Sequence, residues 1–188
     1  MRPRVVLLSL LVLLVVAGSG PIVAGADDVA SPSTDQPRAT VGASDFTNYG
    51  TAWVPQIRNK FSQWKPLGWG TAVKVKATAV GQDQWVHIPV PMPTLLDGTW
   101  VDISYVEFCA QSSSGASSKP VHWDLWSDYG QFYSANITWP ADNNIHCIGH
   151  TFSPMTWQPN LGVSVLLDFT SSTHTITLYK AWVEVLPE

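Results

Sequence analysis

Trp100-Val101-Asp102-Ile103-Ser104-Tyr105-Val106-Glu107-Phe108-Cys109-Ala110 reads as one long strand near the middle of the chain. Val101, Ile103 and Tyr105 alternate with Asp102 and Ser104, the period of two that a half-buried strand has and a helix lacks. The pattern recurs on both sides. Upstream, residues 72–80 set Val73, Val75, Ala77 and Ala79 on one face and Lys74, Lys76 and Thr78 on the other. Residues 85–90 are a further strand. Downstream, residues 121–126, 132–139, 145–152, 161–169 and 174–185 are rich in β-branched and aromatic side chains, with Gly, Pro, Asn, Asp and Ser between them. Residues 51–54 add an edge strand. Only 55–64 has helical spacing, through Ile57, Phe61 and Trp64. Roughly eight or nine strands without a βαβ rhythm predict an all-β chain, an antiparallel two-sheet β-sandwich or jelly roll.

Two features punctuate this pattern. Pro89, Pro91 and Pro93 fall on every second residue. A proline nitrogen donates nothing to a ladder, so this stretch should leave the sheet or run along an edge, where it would protect that edge from pairing. Residues 111–119 contain Ser112, Ser113, Ser114, Ser117 and Ser118 and are expected to form a mobile tip.

Composition narrows the function classes. Among 188 residues, Lys plus Arg is 10 and Asp plus Glu is 14, a net charge of −4. That balance argues against a nucleic-acid partner, which needs a basic face against phosphates. Charged residues are 13% and hydrophobic residues 45%, the reverse of a disordered chain.

The first segment is an export signal by pattern. Arg2 and Arg4 precede the apolar run 5–17, which leads to Gly18, Ser19, Gly20 and Pro21 and then Ala24-Gly25-Ala26. This order predicts a signal peptide over 1–26, cut after Ala26. The run is shorter than the about 20 residues that span a bilayer. The mature chain is therefore expected to be secreted, with no membrane association, and monomeric. Residues 27–44, rich in Ser, Pro, Thr and Asp, are expected to be a flexible polar lead-in, and 45–188 the sandwich domain.

Export bears on Cys109 and Cys147. An oxidising compartment favours their pairing; two buried free thiols, or one reactive thiol, are the alternatives.

The chain holds 10 Trp, a density that either fills a wide core or builds a ligand surface. Indole faces stack on the C–H faces of sugar rings, so a polysaccharide is the expected ligand and a cell-surface protein the alternative partner. Alternation in Val121-His122-Trp123-Asp124-Leu125-Trp126 turns Val121, Trp123 and Leu125 inward and His122, Asp124 and Trp126 outward. Trp182 shares a face with Leu178, Lys180 and Glu184, opposite Tyr179, Ala181, Val183 and Val185, and is expected outward or on a rim. Trp139 ends a strand before Pro140, and Trp157 lies between Pro154 and Pro159. Both are ligand candidates as loop or rim residues. Trp69, between Gly68 and Gly70, has the setting of a buried plug.

Catalytic signals are weak. His122 and Asp124 lie two apart on one strand, so both point the same way, as a hydrolytic His–Asp pair or as a surface hydrogen-bonded pair. His146 and His150 are about 13 Å apart at strand spacing, too far for one metal ion. Asp124, Asp128, Asp142, Asn143 and Asn144 match no calcium-loop spacing and read as turn residues. No cofactor is expected. The region after the signal peptide has only Glu107, Glu184 and Glu188 as glutamates, with no visible carboxylate pair for glycoside hydrolysis. Asn136-Ile137-Thr138 is a glycosylation triplet.

One resemblance adds to these readings. Trp85-Val86-His87-Ile88-Pro89-Val90-Pro91, followed by Asp97-Gly98, resembles a segment of a group of uncharacterised microbial proteins with a Trp-x-His-x-Pro-x-Pro motif. Val121-His122, Gly162-Val163-Ser164-Val165 and the strand 176–185 are similar to their later strands. Here Leu125 follows Asp124 where that group has Gly. The resemblance implies a compact β-sandwich and no particular activity, and it adds His87 to His122 as a site candidate.

Overall fold

The computed structural model describes residues 43–96 and 98–188. The predicted signal peptide and nearly all of the lead-in lie outside them. The strands in chain order are β1 (Ser44–Asn48), β2 (Val54–Pro55), β3 (Phe61–Leu67), β4 (Gly70–Val75), β5 (Gln84–Val90), β6 (Leu95–Leu96), β7 (Thr99–Ser112), β8 (Lys119–Ser127), β9 (Gly130–Asn136), β10 (Ile145–Thr156), β11 (Leu161–Asp168) and β12 (Ile176–Pro187). Short 3-10 turns stand at Gly50–Ala52, Arg58–Lys60 and Ala77–Ala79. No helix among the described residues is long and apolar enough to cross a membrane.

The strands form two antiparallel sheets. The first runs β10-β7-β12-β4-β3, with β1 beside β12 and β6 beside β7. The second runs β2-β5-β11-β8-β9. This is the expected β-sandwich. Alternation explains its core. Val86, Ile88 and Val90 of β5, Trp123 and Leu125 of β8, and Val163, Val165 and Leu167 of β11 face Val101, Ile103, Val106 and Phe108 of β7 and Ile176, Leu178, Ala181, Val183 and Val185 of β12. Each fully buried aliphatic side chain contributes roughly 1.5–3 kcal/mol relative to exposure.

Where the fold departs from the predicted alternation, a local irregularity is the cause. In β7, Ile103 pairs with Val185 and Tyr105 with Glu184, so Ser104 is the extra residue of a bulge. Its hydroxyl donates to Glu184 Oε1 at 2.6 Å. The bulge shifts the phase by one, so Val106 and Phe108 face in while Tyr105 and Glu107 face out, contrary to a simple Val101–Ile103–Tyr105 face. A second irregularity, between Leu178 and Ala181 in β12, puts Leu178 inward and Tyr179 outward, reversing their predicted sides.

Other expectations are corrected by tertiary pairing. The strand predicted over 72–80 stops at Val75, and Ala77, predicted inward, is exposed in the turn that follows. Residues 55–64 hold only a single 3-10 turn, because Phe61 already pairs with Val75 in β3. The predicted strand 132–139 ends at Asn136. Trp69 is no buried plug; it is 55% exposed in the β3–β4 hairpin and stacks on Tyr179. The serine-rich tip at 111–119 is anchored. Ser112 Oγ donates to the Ser118 carbonyl, Ser118 Oγ meets His174 Nδ1 at 2.8 Å, and Gly115 N–H donates to Asn143 Oδ1 at 3.3 Å. Pro89 stands on the edge side of β5, where β2 pairs only with Val86 and His87 and the Pro89 carbonyl accepts from Asn48 Nδ2 at 2.7 Å, and Pro91 and Pro93 follow the end of the strand.

Cys109 and Cys147 are directly opposed on β7 and β10 and form a disulfide, with a sequence separation of 38. Replacing both by Ser should cost roughly 2–4 kcal/mol, because the oxidised chain loses less entropy on folding. Urea unfolding of the oxidised protein and the double variant measures this. Equal midpoints would show that the ladder alone holds β10.

Candidate functional site

The outer face of the five-stranded sheet carries the densest group of functional side chains. Antiparallel pairing puts opposed residues on the same face. Three cross-strand rows result. One row is Trp85, Leu166, His122 and Asn136. The middle row is His87, Ser164, Asp124 and Ser134. The third is Pro89, Gly162, Trp126 and Gln131. The core sits on the other face because Val86, Ile88, Trp123, Leu125, Val163 and Val165 occupy the alternate positions.

These rows enclose a depression of about 240 Å³ lined by Gln56, Trp85, His87, Asp124, Trp126 and Ser164. Gly162 contributes no side chain to its row, which leaves the floor beside Trp126 open. Trp85 and Trp126 lie two rows apart, about 13 Å along the strands and about 10 Å across them. Two indoles thus flank a polar middle row.

The polar groups hold one another in place. His87 Nδ1 and Ser164 Oγ are 2.7 Å apart. His122 Nε2 lies 3.1 Å from Asp124 Oδ1 and 2.9 Å from Ser134 Oγ, and its Nδ1 lies 2.7 Å from Asn136 Oδ1. Gln131 Nε2 donates to Asp124 Oδ1 at 3.0 Å. The Trp85 ring meets the His122 ring edge-on at 5.9 Å. Asp124 is the only ionisable group besides histidine that lines the depression.

This arrangement does not make a nucleophile relay. Such a relay needs the hydroxyl and the carboxylate on opposite nitrogens of one imidazole. Here Asp124 and Ser134 meet the same His122 nitrogen, and His87 has the serine but no carboxylate. Glu107 and Glu184 belong to the other sheet, and Asp124 is the one carboxylate among the residues that line the depression. Glu107, Cys109 and Cys147 cluster closely enough for a metal, but both sulfurs are joined in the disulfide, leaving one ligand. The other acidic candidates do turn work: Asp142 Oδ1 accepts from Asn144 N–H at 2.9 Å, and Asp128 Oδ2 accepts from Asn160 Nδ2 at 2.7 Å.

Burial lowers the His87 pKa below its ordinary 6.5, and burial lowers that of His150 as well. Below 6.5 the unfolded chain takes up these protons while the folded chain does not, so stability is fullest above 6.5 and declines on acidification. Melting temperature should therefore fall between neutral and mildly acidic pH. His87→Gln should flatten part of that slope, and an unchanged slope would assign it elsewhere.

The predicted site residues separate into groups. His87, His122, Asp124 and Trp126 converge on the depression or its rim. Trp139 does not: it is 6% exposed and packs into the core against His146, because the chain turns inward after β9. Trp182 does face outward, but on the opposite sheet, where its Nε1 donates to Glu107 Oε1 at 2.6 Å. Trp157 lies half-buried between Trp100 and Tyr129 at one end of the sandwich. Trp85, Ser164, Gln56 and Gln131 were not singled out in sequence. Trp85 and Ser164 were legible, since each alternates with buried valines or isoleucine on its own strand. Gln56 and Gln131 lie beside turns or bulges and carried no such signal.

No protein-family model and no curated protein matches the sequence. Among solved structures, the chain is similar to a family two carbohydrate esterase from Cellvibrio japonicus, at 13% identity and a TM-score of 0.42, covering 77% of this chain and 36% of the esterase. The chain thus spans about a third of that protein. It is also similar to a family 36 carbohydrate-binding module in complex with calcium and xylotriose, at 12% identity and a TM-score of 0.39, covering 72% and 96% of the two chains. A family 29 carbohydrate-binding module from Piromyces equi matches at 5% identity and a TM-score of 0.42, covering 75% and 91%. Likeness at this level assigns neither ligand nor activity to this chain.

Proposed function

We propose that this protein is a non-catalytic, secreted and monomeric carbohydrate-binding β-sandwich, and that its ligand is a polysaccharide held on the outer face of the five-stranded sheet. The observation that carries this is the middle row His87–Ser164–Asp124, flanked by Trp85 and Trp126 around one open depression. Indole faces match the apolar C–H faces of sugar rings, and the polar row matches their hydroxyl edges. No Lys or Arg lines the depression, and its one carboxylate disfavours an anionic ligand, so the sugar is neutral. The solved structures similar to it include carbohydrate-binding modules, consistent with this reading but not its basis.

The test is depletion of the purified protein by insoluble cellulose, xylan, mannan, β-1,3-glucan and chitin. Specific depletion reversed by the soluble oligosaccharide supports the proposal. No depletion by any of them overturns it.

A second reading rests on a different surface. Tyr49, Trp69 and Ile145 are exposed around the disulfide on the opposite sheet, beside an apolar depression of about 390 Å³. That patch suits contact with a cell-surface protein. Concentration-dependent association without sugar, lost in Trp69→Ser, would favour it.

A further inference from the structure

The sheet-face site does not end at Trp126. That residue precedes the β8–β9 turn, so the Tyr129 Cα lies at most about 10 Å further along the chain. Tyr129 is 76% exposed. Its ring centroid is 5.9 Å from that of Trp157, which in turn is 5.6 Å from that of Trp100. Trp157 stands where the chain crosses from β10 in one sheet to β11 in the other, and Trp100 stands at the start of β7. The rings therefore pass from the sheet face across the end of the sandwich.

The loops that carry these rings are tied together. Asp128 N–H donates to the Pro159 carbonyl at 3.3 Å, and Asn160 Nδ2 donates to Asp128 Oδ2 at 2.7 Å. A single exposed aromatic residue needs no explanation. Three linked in series through Trp157, on loops tied by cross-loop hydrogen bonds and adjoining a groove already flanked by indoles, form one surface with that groove. Asp128 beside Tyr129 is already engaged by Asn160, and Glu188, whose N–H donates to the Trp100 carbonyl at 2.9 Å, brings a further carboxylate to the far end, so the surface, like the groove, disfavours an anion and suits the same neutral ligand.

We infer that the carbohydrate site continues from Trp126 through Tyr129, Trp157 and Trp100, so that the ligand is an extended polysaccharide chain bound along its length rather than by a terminal sugar. This rests on the carbohydrate reading of the sheet face. Each further sugar that reaches another ring adds contact within one already bound molecule, so affinity rises with chain length.

The experiment is calorimetric titration of the purified protein with disaccharides up to hexasaccharides of cellulose, xylan, mannan, β-1,3-glucan and chitin. Affinity should rise at least about tenfold from disaccharide to hexasaccharide, about 1.4 kcal/mol. In Tyr129→Ala and in Trp100→Ala the ratio of the two affinities should fall toward unity. Tyr129 is 76% and Trp100 49% exposed, and unchanged melting temperatures would show that the fold is kept. Equal affinity at all lengths, or a length effect that survives both substitutions, overturns the extended track and leaves the sheet-face site standing. Failure of every oligosaccharide and every polymer overturns both. Self-association that Trp100→Ala abolishes would instead make the cluster a protein contact and also overturn the track.

Discussion

Trp126→Ala should lower polysaccharide affinity by about tenfold to a hundredfold, equivalent to about 1.4–2.8 kcal/mol. The indole is 41% exposed beside Gly162, so it presents a free face to the groove. It packs against little that the core needs, and the same substitution should change stability by less than about 1 kcal/mol. Affinity electrophoresis and thermal melting separate the two effects. Retained affinity would remove Trp126 from the site. A collapse in melting temperature would make it a structural residue, and the loss of binding would then say nothing about stacking. Trp126→Phe provides a control, because a smaller ring keeps part of the stacking area and should recover part of the affinity.

Trp123→Ala should have the opposite outcome, a loss of about 3–5 kcal/mol in stability. Trp123 is three residues from Trp126 on the same strand, an odd spacing that puts it on the other face. It is 2% exposed. Its ring packs at 5.6 Å from Phe108 of the facing sheet and 5.3 Å from Tyr133 of the neighbouring strand. Truncation leaves an indole-sized cavity between the sheets, and neighbours fixed in two separate ladders collapse into it only partly. Urea unfolding reads the effect directly. A loss below about 1 kcal/mol would mean that the sheets close over the gap, and the sandwich would be softer than its alternation implies. Binding should fall in this variant only as far as the folded fraction falls.

The contrast between these two tryptophans marks how far local pattern reaches. Within β8, alternation alone separates Trp123 from His122, Asp124 and Trp126, because β8 is regular from His122 onward: its own extra residue is Val121, and the shift beside Trp126 adds a residue to β9. The same reasoning misplaced Tyr105 and Leu178, where bulges add a residue and invert every later side. Nothing in the local residue types announces those bulges. Ser104 forms its hydrogen bond with Glu184, 80 residues away in sequence. Trp139 likewise read as a rim residue beside Pro140, and its burial is set by a core built from other segments.

Sequence by itself determined the fold class, most of the strands and their inward faces, since hydrophobic alternation is a local consequence of which side of a strand meets water. The pairing of Cys109 with Cys147 was also within reach, because only two cysteines are present. Only the tertiary structure decided the site. Trp85, His87, Ser164, Asp124 and Trp126 come from three strands, and their grouping depends on register between segments some 40 residues apart or more, from β5 to β8 and β11. A slip of one residue in any pairing would turn that row into the core. Trp182 was rightly read as outward, yet sequence could not say that its outward face belongs to the opposite sheet, because which sheet a strand joins is settled by the packing of the whole sandwich.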